Sequence, residues 1–328
     1  MQSETTQGFS LEGRRVWVAG HKGMVGSAVV RRLEAEPIEE VIVAGSAELD
    51  LTRQEPTEAF VRATQPDVAV IAAAKVGGIE ANRTAQAEFL YDNLMIAANC
   101  LMACHQAGVE KVVVLGSTCI YPREAPQPIR EEYLLTGPLE PTNEGYAVAK
   151  IAALEFGRML RRQFGDDVVS LMPTNLYGPG DNYDLGSSHV FAALLRKTHE
   201  AKVRGERSIT IWGSGTPLRE FLHVDDLSDA VVFVMKHYSG EAHLNVGTGE
   251  DLSVIELARL IGDVIGWSGE YILDRSKPDG MMRKLLDVTR LRDLGWEAAI
   301  DLRAGIEMTY ASFLEQLGGR ANDRAQAG

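Results

Sequence analysis

The sequence predicts an α/β fold, a doubly wound parallel (Rossmann) sheet with a smaller, discontinuous C-terminal α/β substrate lobe. Three observations predict it. Short apolar runs alternate with helical periods through the first half of the chain. A glycine cluster from Gly20 to Gly26 directly follows the first run and opens the first helical period. After Pro173 the alternation breaks, and turn signals cluster at Gly178-Pro179-Gly180, Gly186-Ser187-Ser188 and Gly213-Ser214-Gly215.

Taken in order, strands are expected at 16–19, 41–44, 68–72, 112–115 and 168–172. Helices are expected between them at 25–34, 55–64, 85–106 and 147–162, the order of βαβ units. Ser253-Val254-Ile255-Glu256 matches a capping box and opens a helix to about residue 265, where Gly266 stops it. The dinucleotide-binding domain is expected to span 11–176 with about 224–248, and the substrate lobe 177–223 with 249–318. Residues 1–10 and 319–328 read as tails.

With 328 residues the chain has room for about two domains or one large α/β unit. Its net charge of −13 argues against general nucleic-acid or membrane-surface binding. The same charge requires a local cluster of cations wherever a phosphorylated ligand binds. No apolar run approaches the roughly 18 residues that a membrane span needs. The opening segment lacks the basic-then-apolar order of a signal peptide. Cys100, Cys104 and Cys119 make an odd count, which fits reduced thiols and a cytoplasmic location. No zinc-type ligand spacing appears, so no metal is expected.

Gly20-His21-Lys22-Gly23-Met24-Val25-Gly26 has the spacing G-x-x-G-x-x-G between strand and helix. Glycines there let backbone approach a pyrophosphate at the helix N-terminus, where amide dipoles converge. NAD readers place an acid near the end of the second strand. Here that strand ends Val43-Ala44-Gly45-Ser46, with no acid before Glu48. This absence, with His21 and Lys22 in the glycine loop, leans toward NADP(H); the alternative is a merely solvated Lys22.

Tyr146 and Lys150 lie four apart on one expected helix and so share a face. An ammonium beside a phenol favours the phenolate, which brings the tyrosine nearer to proton exchange at neutral pH. Ser117, upstream at the end of the fourth strand, suits hydrogen bonding to the same substrate oxygen. Together these parts can hand a proton to an oxygen while a hydride reaches its carbon. By residue type alone, Cys119 reads as a small buried hydrophobe and His189 as a loop histidine.

Longer segments narrow the reading. They include Ala72-Ala73-Ala74-Lys75-Val76-Gly77-Gly78-Ile79, Cys119-Ile120-Tyr121-Pro122 and Leu139-Glu140-Pro141-Thr142-Asn143-Glu144. Others are Met172-Pro173-Thr174-Asn175-Leu176-Tyr177-Gly178-Pro179, Trp212-Gly213-Ser214-Gly215-Thr216-Pro217, Arg219-Glu220-Phe221-Leu222-His223-Val224-Asp225-Asp226 and Ser276-Lys277-Pro278-Asp279-Gly280. On these segments the chain resembles the extended short-chain dehydrogenase/reductases, and within them the GDP-L-fucose synthase family. The resemblance implies an NADPH-dependent 3,5-epimerase/4-reductase of GDP-4-keto-6-deoxy-D-mannose.

It further implies a catalytic set of Ser117, Cys119, Tyr146, Lys150 and His189. A 4-keto group makes the hydrogens at C3 and C5 acidic, and inverting each centre needs a base and an acid on opposite faces. Cys119 and His189 suit that pair, and which of them removes the proton is left open. Lys150 is expected to lower the Tyr146 pKa and to hold the nicotinamide ribose. The implied coenzyme contacts are Gly20, His21, Lys22, Gly23, Met24, Val25, Gly26, Asp50, Leu51, Leu115, Gly116, Lys150, Pro173, Asn175, Leu176 and His189. For the nucleotide sugar the resemblance implies Lys197, Trp212, Arg219, Asp279 and Lys284.

Three positions depart from the family pattern. Thr118 stands in place of a second serine, Ser46 in place of an arginine, and Met281-Met282 in place of a small or proline-containing pair. The nearest rival is an epimerase/reductase of a related GDP-4-keto sugar, dideoxy or heptose, whose active set would look nearly the same. A nucleotide-sugar 4-epimerase or dehydratase is a same-fold rival, although Thr118-Cys119 supplies no acid after Ser117 as dehydratases do. A non-catalytic dinucleotide sensor is a rival of another class; retention of Ser117, Tyr146 and Lys150 counts against it. The helices at 85–106 and 143–162 resemble a pair that forms four-helix dimer interfaces in this superfamily, so a homodimer is expected.

Overall fold

The computed structural model describes residues 8–277 and 279–326. Residues 1–7 of the expected N-terminal tail, Pro278 of the 276–280 segment and residues 327–328 lie outside it. In chain order the first half runs β1 (Arg15–Ala19), α1 (Met24–Leu33), β2 (Glu40–Ile42), α2 (Gln54–Thr64), β3 (Val68–Ile71), α3 (Ile79–Thr84), α4 (Gln86–Ala107), β4 (Lys111–Leu115), α5 (Glu144–Phe164) and β5 (Val168–Pro173). The second half runs β6 (Asn175–Tyr177), α6 (Val190–Arg204), β7 (Ser208–Trp212), β8 (Leu218–Arg219), β9 (Phe221–His223), α7 (Val224–His237), β10 (Leu244–Val246) and β11 (Leu252–Ser253). It ends with α8 (Val254–Ile265), β12 (Glu270–Asp274), β13 (Arg283–Lys284), α9 (Thr289–Asp293) and α10 (Leu302–Gln326).

Six parallel strands form the central sheet in the order β10-β5-β4-β3-β1-β2. Alternate residues of each strand feed two cores, because successive side chains point to opposite faces. Val16, Val18, Val68 and Val70 join Val29 and Leu33 of α1 and the apolar side of α7. Trp17, Ala19, Ala69 and Ile71 instead meet Val61 of α2 and Cys100, Leu101 and Cys104 of α4. Burial on both faces explains why these strands read as unbroken apolar runs.

β2 ends at Ile42, short of the expected residue 44. The chain then turns through Gly45, whose amide donates to Glu48 Oε2 at 3.0 Å, and so leaves the ladder. The Ser253 capping box forms as the sequence predicts, with the Ser253 amide donating to Glu256 Oε2 at 2.8 Å. Gly266 closes α8 at φ 75°, a left-handed conformation that costs glycine little.

Helices α6, α8 and α10 pack around Phe191, Leu195, Leu257, Ile261 and Phe313. The strands outside the central sheet pair in three small sheets: β11-β8-β13, β12-β7 and β6-β9. Helix α10 continues past Gly318 to Gln326, through a stretch the sequence assigned to a tail. No helix among the described residues is long and apolar enough to cross a membrane.

Strand order fixes where a ligand goes. From β1 the chain moves one way to β2 and then back to β3 on the other side. The crevice outside the carboxyl ends at this reversal is the expected ligand site of an open α/β sheet. The glycine loop after β1, the 72–78 segment after β3 and Ser117 after β4 all emerge there.

Candidate active site

Close backbone packing shapes the coenzyme crevice. A Cβ on Gly20, which has φ +87°, would lie 2.7 Å from the Ala73 Cα, and one on Gly26 would overlap the Gly20 carbonyl oxygen. Glycine at 20 therefore lets the loop fold tightly against the segment after β3, and glycine at 26 lets the first turn of α1 close against the loop. Gly23 caps α1 without any side-chain hydrogen bond, leaving the first helical amides of Met24 and Val25 available to an anion. His21 Nδ1 is buried with no hydrogen-bond partner among the described residues. Such an orphan needs a partner that a ligand can supply. The Lys22 ammonium rests 2.9 Å from the Cβ position of Gly45, beyond the end of β2 where a ribose edge would lie. These residues fit an NADP-type dinucleotide.

Of the remaining coenzyme candidates, Asp50 and Leu51 precede α2. The Asp50 carboxylate accepts from the Thr52 amide at 3.0 Å and from its hydroxyl at 2.7 Å, which holds its pKa low. The Leu51 carbonyl accepts from Asn99 Nδ2 at 2.9 Å. The Leu51 side chain packs partly buried against the core that α2 and α4 cover. Gly116 follows β4 where a Cβ would strike Met172 Sδ. Pro173 ends β5, and Leu176 lies half-buried against the main core. Asn175 Nδ2 donates to the Glu220 carbonyl at 2.8 Å.

At the end of β4 the chain enters a single turn of 3-10 helix, Thr118–Ile120, whose N-cap is Ser117. The Cys119 amide donates to Ser117 Oγ at 3.4 Å. This turn points both side chains toward α5. Lys150 Nζ donates to the Leu115 carbonyl at 2.8 Å and stands 5.7 Å from the Tyr146 ring centroid. Phe89 packs edge-on against Tyr146 with ring centroids 6.4 Å apart, and fixes the plane of the phenol.

Burial dominates the electrostatics here and corrects one expectation. Lys150 does not lower the Tyr146 pKa in this structure: burial, with the Cys119 thiol adding to it, pushes the phenol up. Burial also pushes Lys150 itself down to about 8, against an opposing pull from Cys119. The cost of removing a phenolate from water outweighs the neighbouring ammonium here. Tyr146 therefore rests as a proton-bearing phenol. Burial likewise raises the Cys119 thiol, while the Lys284 cation, the Ser117 hydroxyl and Lys150 oppose the rise.

His189 caps α6 and uses no side-chain hydrogen bond to do so. Crowding by protein lowers its pKa, and the Lys284 cation lowers it further. The residue nonetheless keeps an exposed face at the cleft mouth, so the Lys284 contribution carries more weight than burial alone suggests. Lys284 thus touches both Cys119 and His189 electrostatically, a link that the sequence did not reveal.

The nucleotide-sugar candidates divide into two groups. Arg219 and Lys284 are register partners on β8 and β13, and burial lowers the pKa of each. Farther out, Lys197 Nζ lies 5.7 Å from the centroid of the exposed Trp212 ring and donates to the Thr210 carbonyl at 3.2 Å. Asp279 Oδ1 accepts from the Ser214 amide at 2.6 Å and closes the turn after Trp212. Lys277, inside a segment already singled out, approaches the same indole at 5.3 Å and was missed as a candidate. Its signal was position: it is the only cation in 276–280.

One buried carboxylate joins these halves. Glu220, fully inaccessible, accepts from the Gly249 amide at 2.7 Å and the Leu286 amide at 3.0 Å. Its own carbonyl receives the Asn175 side chain. Residue type alone gave no hint of this role.

Comparison with known proteins agrees with this geometry. Residues 16–247 match the NAD dependent epimerase/dehydratase family. A GDP-L-fucose synthase of Sinorhizobium fredii is 53% identical over 309 residues, covering 94% of this chain and 98% of that protein. The solved structure of a GDP-L-fucose synthetase from Naegleria fowleri bound to NADP is 27% identical with a TM-score of 0.88, over 96% of this chain and 99% of that one. A GDP-6-OMe-4-keto-L-xylo-heptose reductase from C. jejuni is 33% identical with a TM-score of 0.87, over 94% and 99%. The chain with its glycine crevice, Ser117–Cys119 turn and Tyr146–Lys150 pair belongs to the NAD dependent epimerase/dehydratase family, in its GDP-L-fucose synthase branch.

Proposed function

We propose that this protein converts GDP-4-keto-6-deoxy-D-mannose to GDP-L-fucose by inverting C3 and C5 and then reducing C4 with NADPH. The observation that carries this reading is the convergence of Ser117, Cys119, Tyr146 and Lys150 at the carboxyl end of β4, with Lys284 acting on both Cys119 and His189. Membership of the GDP-L-fucose synthase branch supports it.

Cys119 rests as a thiol and His189 as a free base, so the pair holds one exchangeable proton between them. Inversion needs that stoichiometry, with one group taking a proton from a carbon beside the ketone and the other returning one to the opposite face. Ser117 and Tyr146 donate hydrogen bonds to the ketone oxygen, where negative charge collects as the carbon is deprotonated. NADPH supplies the hydride for the reduction. Tyr146 gives its proton to the same oxygen, and Lys150 offsets the charge that the phenol then carries. Arg219 and Lys284 meet the diphosphate, and Trp212 with Lys197 meets the outer part of the nucleotide.

The test is incubation with GDP-4-keto-6-deoxy-D-mannose and NADPH in deuterated water. Solvent deuterium at both inverted carbons, with oxidation of the coenzyme, is expected. Cys119→Ser is expected to impair exchange and keep coenzyme binding; unimpaired exchange would remove Cys119 from the mechanism. The Met282 carbonyl accepts from the Leu218 amide at 2.8 Å, beside Arg219, so a panel of GDP-4-keto sugars including heptoses reads how the Met281-Met282 pair sets sugar preference.

Assembly as a homodimer in the cytoplasm belongs to the same proposal. Tyr91 and Leu94 of α4 and Val148 and Met159 of α5 are large apolar side chains left exposed on adjacent helices. A second copy would cover them by an isologous contact. Sedimentation giving only monomer at micromolar concentration would remove the dimer. The three cysteines are free and buried, as a reducing compartment allows.

A further inference from the structure

His189 caps α6 without a side-chain hydrogen bond, so the backbone of the preceding loop sets where its imidazole enters the cleft. That loop is tied by three side chains. Asp184 Oδ1 accepts from the Gly186 amide and from Ser187 Oγ, each at 3.0 Å. The Asp184 carbonyl accepts from the amides of Ser187 at 3.1 Å and Ser188 at 2.7 Å. Asn182 closes the ring, its Oδ1 accepting from the Asp184 amide at 3.0 Å and its Nδ2 donating to Ser187 Oγ at 2.9 Å.

Two contacts dock this knot on the crevice. The Gly78 amide donates to the Ser187 carbonyl at 3.0 Å. A Cβ on Gly180 would lie 3.5 Å from the Met24 Cα, so the loop also rests on the first turn of α1. Asn182 and Asp184 are both exposed, and neither side chain supports a core. Holding polar side chains back on their own loop costs rotamer freedom, and the product of that cost is the fixed position of one residue, His189.

We propose that Asp184, supported by Asn182 and Ser187, is a positioning residue that sets the His189 imidazole for proton transfer at the carbon beside the ketone. The proposal rests on the keto-sugar reading above. A proton-transferring group must come within hydrogen-bond reach of its carbon acid, and a displacement of about 1 Å costs about a hundredfold in rate. Asp184 acts through the backbone and touches no reacting atom.

The experiment compares Asp184→Ala, Asp184→Asn and the unsubstituted protein. Exchange at C3 and C5 is followed in deuterated water with GDP-4-keto-6-deoxy-D-mannose and NADP+. NADPH binding is followed by fluorescence, and folding by thermal unfolding. Asp184→Ala is expected to slow exchange by about 10- to 100-fold, with NADPH affinity and Tm close to those of the unsubstituted protein. Asp184→Asn keeps the Oδ1 acceptor and is expected to recover most of the rate. Exchange in Asp184→Ala at the unsubstituted rate, a parallel loss of NADPH affinity, or no recovery with asparagine would each overturn the positioning role. Absence of exchange in the unsubstituted protein would instead overturn the keto-sugar reading, and this proposal with it.

Discussion

Arg219 and Lys284 sit directly across from one another on adjacent parallel strands, which sets two cations side by side in a chain of net charge −13. Lys284 is destabilised as a cation by burial first, and Arg219 adds to the effect. Like charges held together at a half-buried site are relieved by an anion. Arg219→Met is expected to raise KM for the GDP-sugar by about tenfold or more with NADPH affinity unchanged. Lys284→Met is expected to raise KM similarly and also to slow C3/C5 exchange, because it removes the cation beside Cys119. Steady-state kinetics combined with exchange rates separates the two variants; identical effects on exchange would contradict the geometry.

Lys150 gives a pH prediction. Its pKa, lowered to about 8, means the cation is present below that pH and lost as pH rises through it. Reduction of C4 is therefore expected to decline on an alkaline limb centred near 8. Lys150→Arg keeps its charge to above about 12 and should move that limb up. A limb that stays in place would assign it to another group. The stability consequence has the opposite sense. Between about 8 and the ordinary 10.5 the unfolded chain binds more protons here than the folded one, so this group's penalty shrinks as pH rises.

Lys22 is the cation beside Gly45, past the end of β2 and next to Ser46. Lys22→Ala is expected to weaken NADPH binding by about tenfold and to leave NADH binding nearly unchanged. Paired titrations of the two coenzymes check it. Equal losses for both would place Lys22 on the shared diphosphate.

Gly26→Ala probes the crevice itself. The added methyl overlaps the Gly20 carbonyl, a backbone group that yields only if the glycine loop opens. A loss of about 1–3 kcal/mol in stability is expected, together with weaker binding of both coenzymes. Thermal unfolding with and without NADPH measures both effects.

The parallel sheet was legible because its signals are local. Val68–Ile71 is buried on both faces and reads as an apolar run, and the Gly20–Gly26 spacing lies between a strand and a helix. The small sheets after β5 were less so. Strands of two residues, such as Leu218–Arg219, carry no periodicity and exist only through their neighbours. The catalytic set is an expectation from resemblance and chemistry, and the direction of the Tyr146 shift was not legible in the sequence. Spacing shows that Lys150 is near Tyr146; burial, which decides the sign, is a property of the whole fold. The Gly78–Ser187 contact joins residues more than a hundred apart, and nothing local announces it.

Glu220 makes the two ligand halves mechanically inseparable. One residue holds the Leu286 amide, two positions past Lys284, with its carboxylate and the Asn175 side chain with its carbonyl. Retuning the enzyme toward a bulkier hexose by reshaping the β13 segment would tug on the hydride-delivery side as well.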